Sequence, residues 1–330
     1  MGTDNNNLLS GRVAVVTGSG QGVGKAIALA LSAMGCKVVT NNRKPGSSVY
    51  ALEGSRPDLT EEDLRRLNAI KGDAQTAADE INAAGGEAVP CFADVSKIED
   101  CERLIGTAVD KWGRVDILVN NGASFFNSGI QDFKIERFDQ VVSSKLNASF
   151  YLSHFALPYM LKQGYGRILN ASSNAFIGLM GMCAYSAASC GIWAFTKAAA
   201  QDLSGTGITV NAYTPLARTR SWENALAQFK GQGIPEEALQ DKVPASMNTG
   251  PDGMAPFLAY LCTEEASDIT GLMFNVESAG RLSVWSESEQ YNIVEKNIPV
   301  DGPWTIDELR SVRGDLLKDV KTAQTTLELH

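Results

Sequence analysis

At 330 residues, with 44% hydrophobic and 20% charged side chains, the chain can bury a full core without disulfide or metal staples. A formal charge of -9 argues against nucleic acid or an anionic membrane as partner, and no apolar run reaches membrane-spanning length. Six cysteines without a Cys-x-x-Cys pair, and only two histidines, His154 and His330, leave no zinc site or disulfide framework to expect; residues 1–10 show no secretory pattern, so a soluble, cytoplasmic protein is expected.

Short β-branched runs alternate with longer helical patterns, the signature of strands joined by crossover helices in a parallel sheet. The first strand, Arg12 to Thr17, runs into Gly18, Gly22 and Gly24 at the head of a helix over Gly24 to Met34. Without Cβ atoms such a loop turns tightly, approaches a pyrophosphate and aims helix N–H groups at it. A second strand, Lys37 to Asn41, leads into Asn42-Arg43-Lys44. An acid at this strand end would bind the adenosine ribose hydroxyls and repel a 2′-phosphate. Neutral Asn42 removes the repulsion and Arg43 supplies charge-assisted bonds, so NADP(H) is expected over NAD(H).

Residues 44–72 interrupt the rhythm as an insertion, with Thr60-Glu61-Glu62-Asp63-Leu64 as a helix start. A helix over Asp73 to Ala84, a strand over Glu87 to Ala93, and a helix over Ile98 to Trp112, with Asp94 and Ser96 as capping residues, follow. Then come a strand over Ile117 to Asn120, one long helix over Ile135 to Leu161, a strand over Gly166 to Ala171, a helix over Ala184 to Leu203, and strands over Ile208 to Ala212 and Met273 to Val276. These seven strands complete an α/β, three-layer, doubly wound parallel sheet, a Rossmann fold, in one domain over residues 8–285. Within it, in residues 217–247, Trp222, Leu226 and Phe229 share helical spacing that suits either buried core or a substrate lid. Residues 286–330 form a C-terminal extension with a turn at Asp301-Gly302-Pro303 and a capping box at Thr305-Ile306-Asp307-Glu308.

The motifs resemble the classical short-chain dehydrogenase/reductase family over about residues 10–285. Thr17 to Gly24 reads T-G-x-x-x-G-x-G, Asn120-Asn121-Gly122-Ala123 resembles N-N-A-G with its last two residues exchanged, and Tyr185 opens Tyr-Ser-Ala-Ala-Ser-Cys-Gly, similar to Y-x-A-S-K-x-G. The resemblance implies a cofactor site of Gly18, Ser19, Gly22, Val23, Gly24, Asn42, Arg43, Asp94, Val95, Asn121, Gly122, Tyr185, Pro215 and Thr219, where Leu216 departs from the family's Pro-Gly. It implies Tyr185 as general acid/base, Ser173 (with Ser172 as runner-up) holding the substrate oxygen, and Asn147, in Lys145-Leu-Asn147-Ala-Ser, organising a water. The loop after strand two and the tail with Trp285 and Trp304 resemble the branch of multifunctional hydroxyacyl-CoA dehydrogenases, implying an acyl-thioester or bulky ketone substrate.

One family residue is missing. A lysine one turn after the tyrosine binds the nicotinamide ribose and favours tyrosinate, and that position, i+4, is Ser189. An ammonium about 4 Å away at an effective dielectric of about 20 is worth about 4 kcal/mol, nearly three pKa units, so its loss should slow acid/base catalysis about 10²–10³-fold. Lys197 lies about 18 Å along the helix from Tyr185 and cannot replace it. Two readings follow: an impaired or adapted NADP(H)-dependent carbonyl reductase or alcohol dehydrogenase, with Ser189 or a water completing the relay, or a cofactor-binding scaffold, such as the non-catalytic subunit of a hetero-oligomer with a catalytic relative or a fold repurposed for a non-redox step. Trp193, Phe195 and Phe150 are suited to a homo-oligomeric interface, a tetramer or dimer.

Overall fold

The central strands are apolar along their whole length because parallel strands covered by helices on both faces have no wet side. In a computed structural model of the chain, which describes residues 7–46, 60–61, 64–65, 67, 70–223, 226, 245–287, 293–298 and 304–318, β1 (Val13–Val16) is fully buried. It pairs in parallel with β2 (Lys37–Asn42) on one side and β4 (Ile117–Asn120) on the other. Adding β3 (Ala88–Phe92), β5 (Gly166–Ala171), β6 (Ile208–Leu216) and β7 (Met273–Glu277) gives seven parallel strands, and the full order is β3-β2-β1-β4-β5-β6-β7-β8-β9. The order reverses between β1 and β4, and at that switch point the carboxyl ends of the strands open a crevice.

The α/β fold expected from the sequence is the one observed, with two strands more than expected. β8 (Leu282–Glu287) and β9 (Ile293–Ile298) continue the sheet antiparallel, through a turn in which the Gly280 N–H reaches the Glu277 carbonyl and Gly280 takes φ 88°. Leu282 and Val284 alternate inward on β8, a period-two signal easily passed over once seven strands appear to complete the sheet.

Helices α1 (Gly22–Ala33), α2 (Ala74–Ala83), α3 (Ile98–Trp112), α4 (Ile135–Val142), α5 (Ala148–Gln163), α6 (Cys183–Asp202), α7 (Ala255–Tyr260) and α8 (Ile306–Leu317) cover the sheet. Capping departs from expectation at α3. Lys97 is its N-cap and makes no side-chain cap bond, while Asp94 instead accepts from the N–H and hydroxyl of Ser96. At α8 the expected capping box forms, with Thr305 and Glu308 bonded reciprocally, and buried Trp304 precedes it. The helix expected over Ile135 to Leu161 is broken: α4 and α5 flank a five-residue π-helical turn, Ser143–Asn147. Ser144 and Lys145 of this turn are buried, as are Ala148 and Ser149 just after it.

In the insertion, Glu61, Leu64, Arg65 and Leu67 are helical and Leu67 is buried; the rest of the expected helix, and most of the expected lid including Phe229, lie outside the described residues. Among the described residues no helix is long and apolar enough to cross a membrane.

Candidate active site

The crevice has two ends. At the first, Thr17 to Gln21 joins β1 to α1, with Gly18 (φ 64°) and Gly22 (φ 59°) in the left-handed region. A Cβ on Gly18 would lie 2.9 Å from the Gly122 Cα, and one on Gly24 2.5 Å from the Gly18 carbonyl oxygen. The loop is therefore seated on the strand-four turn. Thr17 Oγ1 accepts the N–H groups of Asn121 and Gly122, and Asn121 Nδ2 returns a bond to the Thr17 carbonyl. Gly22 is different: a Cβ there would meet only Thr219, at 3.8 Å. It opens onto a groove of about 460 Å³ lined by Gln21, Lys25, Arg218 and Thr219. The N-cap Gln21 makes no side-chain cap bond and the first turn of α1 holds no acid, which leaves its N–H groups and positive dipole end for an anion. This cradle fits the pyrophosphate of a dinucleotide.

Ser19 is buried; its hydroxyl accepts from the Asn41 N–H and its own N–H reaches the Asn41 carbonyl, which ties the loop to β2. Asn42 is half-buried with an unpartnered Oδ1, Arg43 is exposed, Val95 is half-buried, and Val23 packs into the core. Asp73, expected only as a helix start, also stands here. A Cβ on Gly20 would lie 2.0 Å from the Asn42 Oδ1 and 2.5 Å from the Asp73 Cα, so the chain returns from the insertion directly against the end of β2. Burial pushes the Asp73 carboxyl up, but bonds from the Thr76 and Gly46 N–H groups outweigh it and hold the pKa below the usual carboxylate value. An acid therefore does stand at this strand end, delivered from thirty residues beyond Arg43.

The second end is built where β4, β5 and β6 finish. Ser172 and Ser173 behave differently there. Ser172 is buried and its hydroxyl donates to the Ser189 carbonyl at 2.9 Å, whereas Ser173, half-buried as the N-cap of a short 3₁₀ turn, accepts the Ala175 N–H and keeps its own proton to donate. Tyr185, in the first turn of α6, is half-buried, packs among Phe126, Val141, Ala184 and Ala188, and takes the edge of Phe125 at 5.1 Å between ring centroids. Burial alone pushes its phenol up to about 12. Asn147 is half-buried at the end of the π turn, and Pro215 and Leu216 finish β6 half-buried.

Ser189 is fully buried and its hydroxyl has no partner. A buried cation from another element lies near Tyr185. Lys145, only 3% exposed, enters from the π turn and places its amine 4.7 Å from the centroid of the Tyr185 ring. The amine donates to the carbonyls of Ala171 at 2.6 Å and Ser172 at 3.2 Å, at the end of β5. Burial lowers its pKa to about 7. The sequence reading treated Lys145 only as a neighbour of Asn147. A basic residue within a helical pattern is ordinarily a solvated one, although Lys145 shares its helical face with Val141, Ala148 and Leu152.

A parallel sheet with its switch point over a glycine cradle, and a serine and a tyrosine at the neighbouring strand ends, defines a dinucleotide-dependent oxidoreductase. The sequence profile of the short chain dehydrogenases matches residues 59–226. The chain is similar to a 3-oxoacyl-[acyl-carrier-protein] reductase of Synechocystis, 34% identical over 82% of this chain and 96% of that one, and to a D-beta-hydroxybutyrate dehydrogenase of Cupriavidus necator, 31% identical over 82% and 98%. It is also 34% identical, over 80% of its length, to 26% of the peroxisomal hydratase-dehydrogenase-epimerase of Saccharomyces cerevisiae. A short chain dehydrogenase from Mycobacterium avium, known by crystal structure, superposes with a TM-score of 0.65 at 32% identity, covering 96% of this chain and 97% of that one. The chain belongs to the short-chain dehydrogenase family and is an oxidoreductase interconverting CH–OH and C=O.

Proposed function

We propose that the protein is an NADP(H)-dependent reductase of a β-oxoacyl substrate, or dehydrogenase of the matching β-hydroxyacyl compound, with a thioester as the preferred form. The observation that carries this is the division of labour between the two serines: Ser173 alone keeps a proton free to hold a substrate oxygen, on the strand end that faces Tyr185. The names of the relatives support the substrate class, since an oxoacyl thioester and a hydroxybutyrate both carry their reactive oxygen at the carbon β to the carboxyl carbon.

When bound, the nicotinamide supplies or accepts the hydride. The chain's part is the proton and the position. Ser173 donates to the substrate oxygen, Tyr185 passes the proton to or from that oxygen, Asn147 orders water behind it, and the α1 N-terminus with Gly18, Gly22, Gly24 and Thr219 holds the pyrophosphate. Asp94, Val95, Asn121 and Gly122 shape the adenine and ribose positions. The six unpaired cysteines suit a reducing cytoplasm, and exposed Phe150, stacked on His154 beside Phe195, suits a homotetramer joined through α5 and α6.

The test is turnover of acetoacetyl-CoA, acetoacetate and a simple cyclic ketone with NADPH and NADH, followed by loss of reduced-cofactor absorbance. The thioester with NADPH should react fastest. NADPH that binds while no ketone is reduced would establish the scaffold reading instead.

A further inference from the structure

We propose that Lys145 replaces, from a different helix, the cation absent at position 189, so that the proton chemistry at this site runs on a Tyr185–Lys145 pair. The proposal rests on the hydride-transfer reading above and deepens it. Its ground is geometry. A lysine this deeply buried costs several times what a surface lysine does unless its head is bonded, and here both bonds go to main-chain carbonyls of one strand end, which fixes the amine over the tyrosine ring. Lys145 enters from within the π turn, on the same buried face as Ser144, Ala148 and Ser149. Ser189, meanwhile, is small and fully buried, and its hydroxyl has no partner.

The two anchors also determine what the amine can do. A neutral amine has two hydrogens, which the Ala171 and Ser172 carbonyls take; the ammonium has a third. Protonation therefore toggles one direction only, while the nitrogen stays in place. Burial brings this event near neutrality. Tyr185 of α6 faces the amine, Tyr213 of β6 lies near Tyr185, and β5 presents carbonyls; among the described residues no charged side chain contributes to the shift of the amine. As Tyr185 gives its proton to a ketone oxygen, the O–H bond breaks and tyrosinate forms beneath the ammonium, which stabilises it; solvent restores the phenol proton afterwards. Lys145 thus acts through Tyr185 as a positioning residue and need not touch substrate.

The experiment compares the full chain with Lys145→Met, Lys145→Arg and the double variant Lys145→Met/Ser189→Lys, using acetoacetyl-CoA and NADPH. In the native protein kcat/KM for reduction should fall as pH rises past about 7, because the ammonium is lost. Lys145→Met should lower kcat about 10²–10³-fold and leave a flat profile, Lys145→Arg should move the fall to higher pH, and the double variant should regain at least about tenfold. A second readout needs no cofactor. Unfolded lysine holds its proton to about pH 10 whereas folded Lys145 releases it near 7, so between these values the unfolded chain binds the extra proton. The urea midpoint of the native apo-protein should therefore rise with pH relative to that of Lys145→Met. Unchanged kcat and pH profile in Lys145→Met, or parallel urea midpoints, would overturn the proposal while leaving the reductase intact. A native protein that reduces no ketone would instead overturn the reading on which it rests. Should Lys145→Met fail to fold, the profile of Lys145→Arg decides: a fall still near pH 7 would count against Lys145.

Discussion

The two ends of the crevice are made of different materials. The cofactor end is mostly backbone: glycines whose missing Cβ atoms let Thr17 to Gly24 sit on Asn121–Gly122, and helix N–H groups left uncapped. The proton end is side chains gathered from β5, the π turn and α6, with Ser173, Lys145 and Tyr185 drawn from three separate elements. Backbone devices tolerate no substitution because their tolerance is measured in tenths of an ångström. Side-chain devices can be rebuilt, since a head group can reach the same place from another stem.

The largest effect should come from the residue at the proton end that no other group duplicates. Tyr185→Phe keeps the ring against Phe125 and beneath Lys145 but removes the transferable proton, so kcat should drop at least about 10³-fold with NADPH affinity within about threefold. Steady-state rates and a fluorescence titration measure both. Retention of more than about a tenth of the rate would mean that the proton travels by another route, erasing the contrast.

The cofactor end should respond to much smaller chemistry. Gly20→Ala forces one methyl carbon to 2.0 Å from the Asn42 Oδ1 and 2.5 Å from the Asp73 Cα, and the second of these is backbone that cannot rotate aside. Stability should fall by about 1–3 kcal/mol and cofactor affinity with it, while the rate per bound cofactor changes little. Gly106→Ala, on α3 with open space around its Cβ, serves as the control and should stabilise by about 0.5–1 kcal/mol. Equal urea midpoints for the two variants would show that the loop yields more than its contacts imply.

The same division explains what could be read from the sequence. The parallel strands were legible because burial on both faces writes them as runs such as Val13-Ala-Val-Val16 and Ile117-Leu-Val-Asn120, and the glycine loop because its function resides in contiguous residues. The α8 capping box was legible for the same reason. The absence of a lysine at 189 was visible too, since i+4 is a local relation. The approach of Lys145 to Tyr185 was not: the two become neighbours only once α4, the π turn and α6 have packed, and Ser143-Ser-Lys-Leu-Asn147 carries no glycine or proline to announce a break. The place of Asp73 was missed likewise, because the residues that bring it to β2 lie across an insertion.

The smallest effect, and the one that most sharpens the comparison, concerns charge at the outer edge of the cofactor end. Exposed Arg43 and the carboxylate of Asp73 flank the end of β2 with opposite signs. Asp73 already accepts the Thr76 and Gly46 N–H groups, so part of its charge is committed to the start of α2, whereas the Arg43 guanidinium is a five-donor fork in water, matched to a phosphate. NADPH should accordingly bind more tightly than NADH. Arg43→Ala should weaken NADPH about tenfold, equivalent to about 1.4 kcal/mol, and leave NADH nearly unchanged. Asp73→Asn keeps the cap and removes the charge, so it should tighten NADPH by a smaller factor, and raising the salt concentration should shrink both differences because both groups work in a screened environment. Calorimetric titration of the three proteins with both cofactors reads all of this at once. If the unmodified chain prefers NADH and Asp73→Asn abolishes that preference, the acid from beyond the insertion governs the site, and even the end of the crevice that looked local would owe its selectivity to a residue brought from a distance.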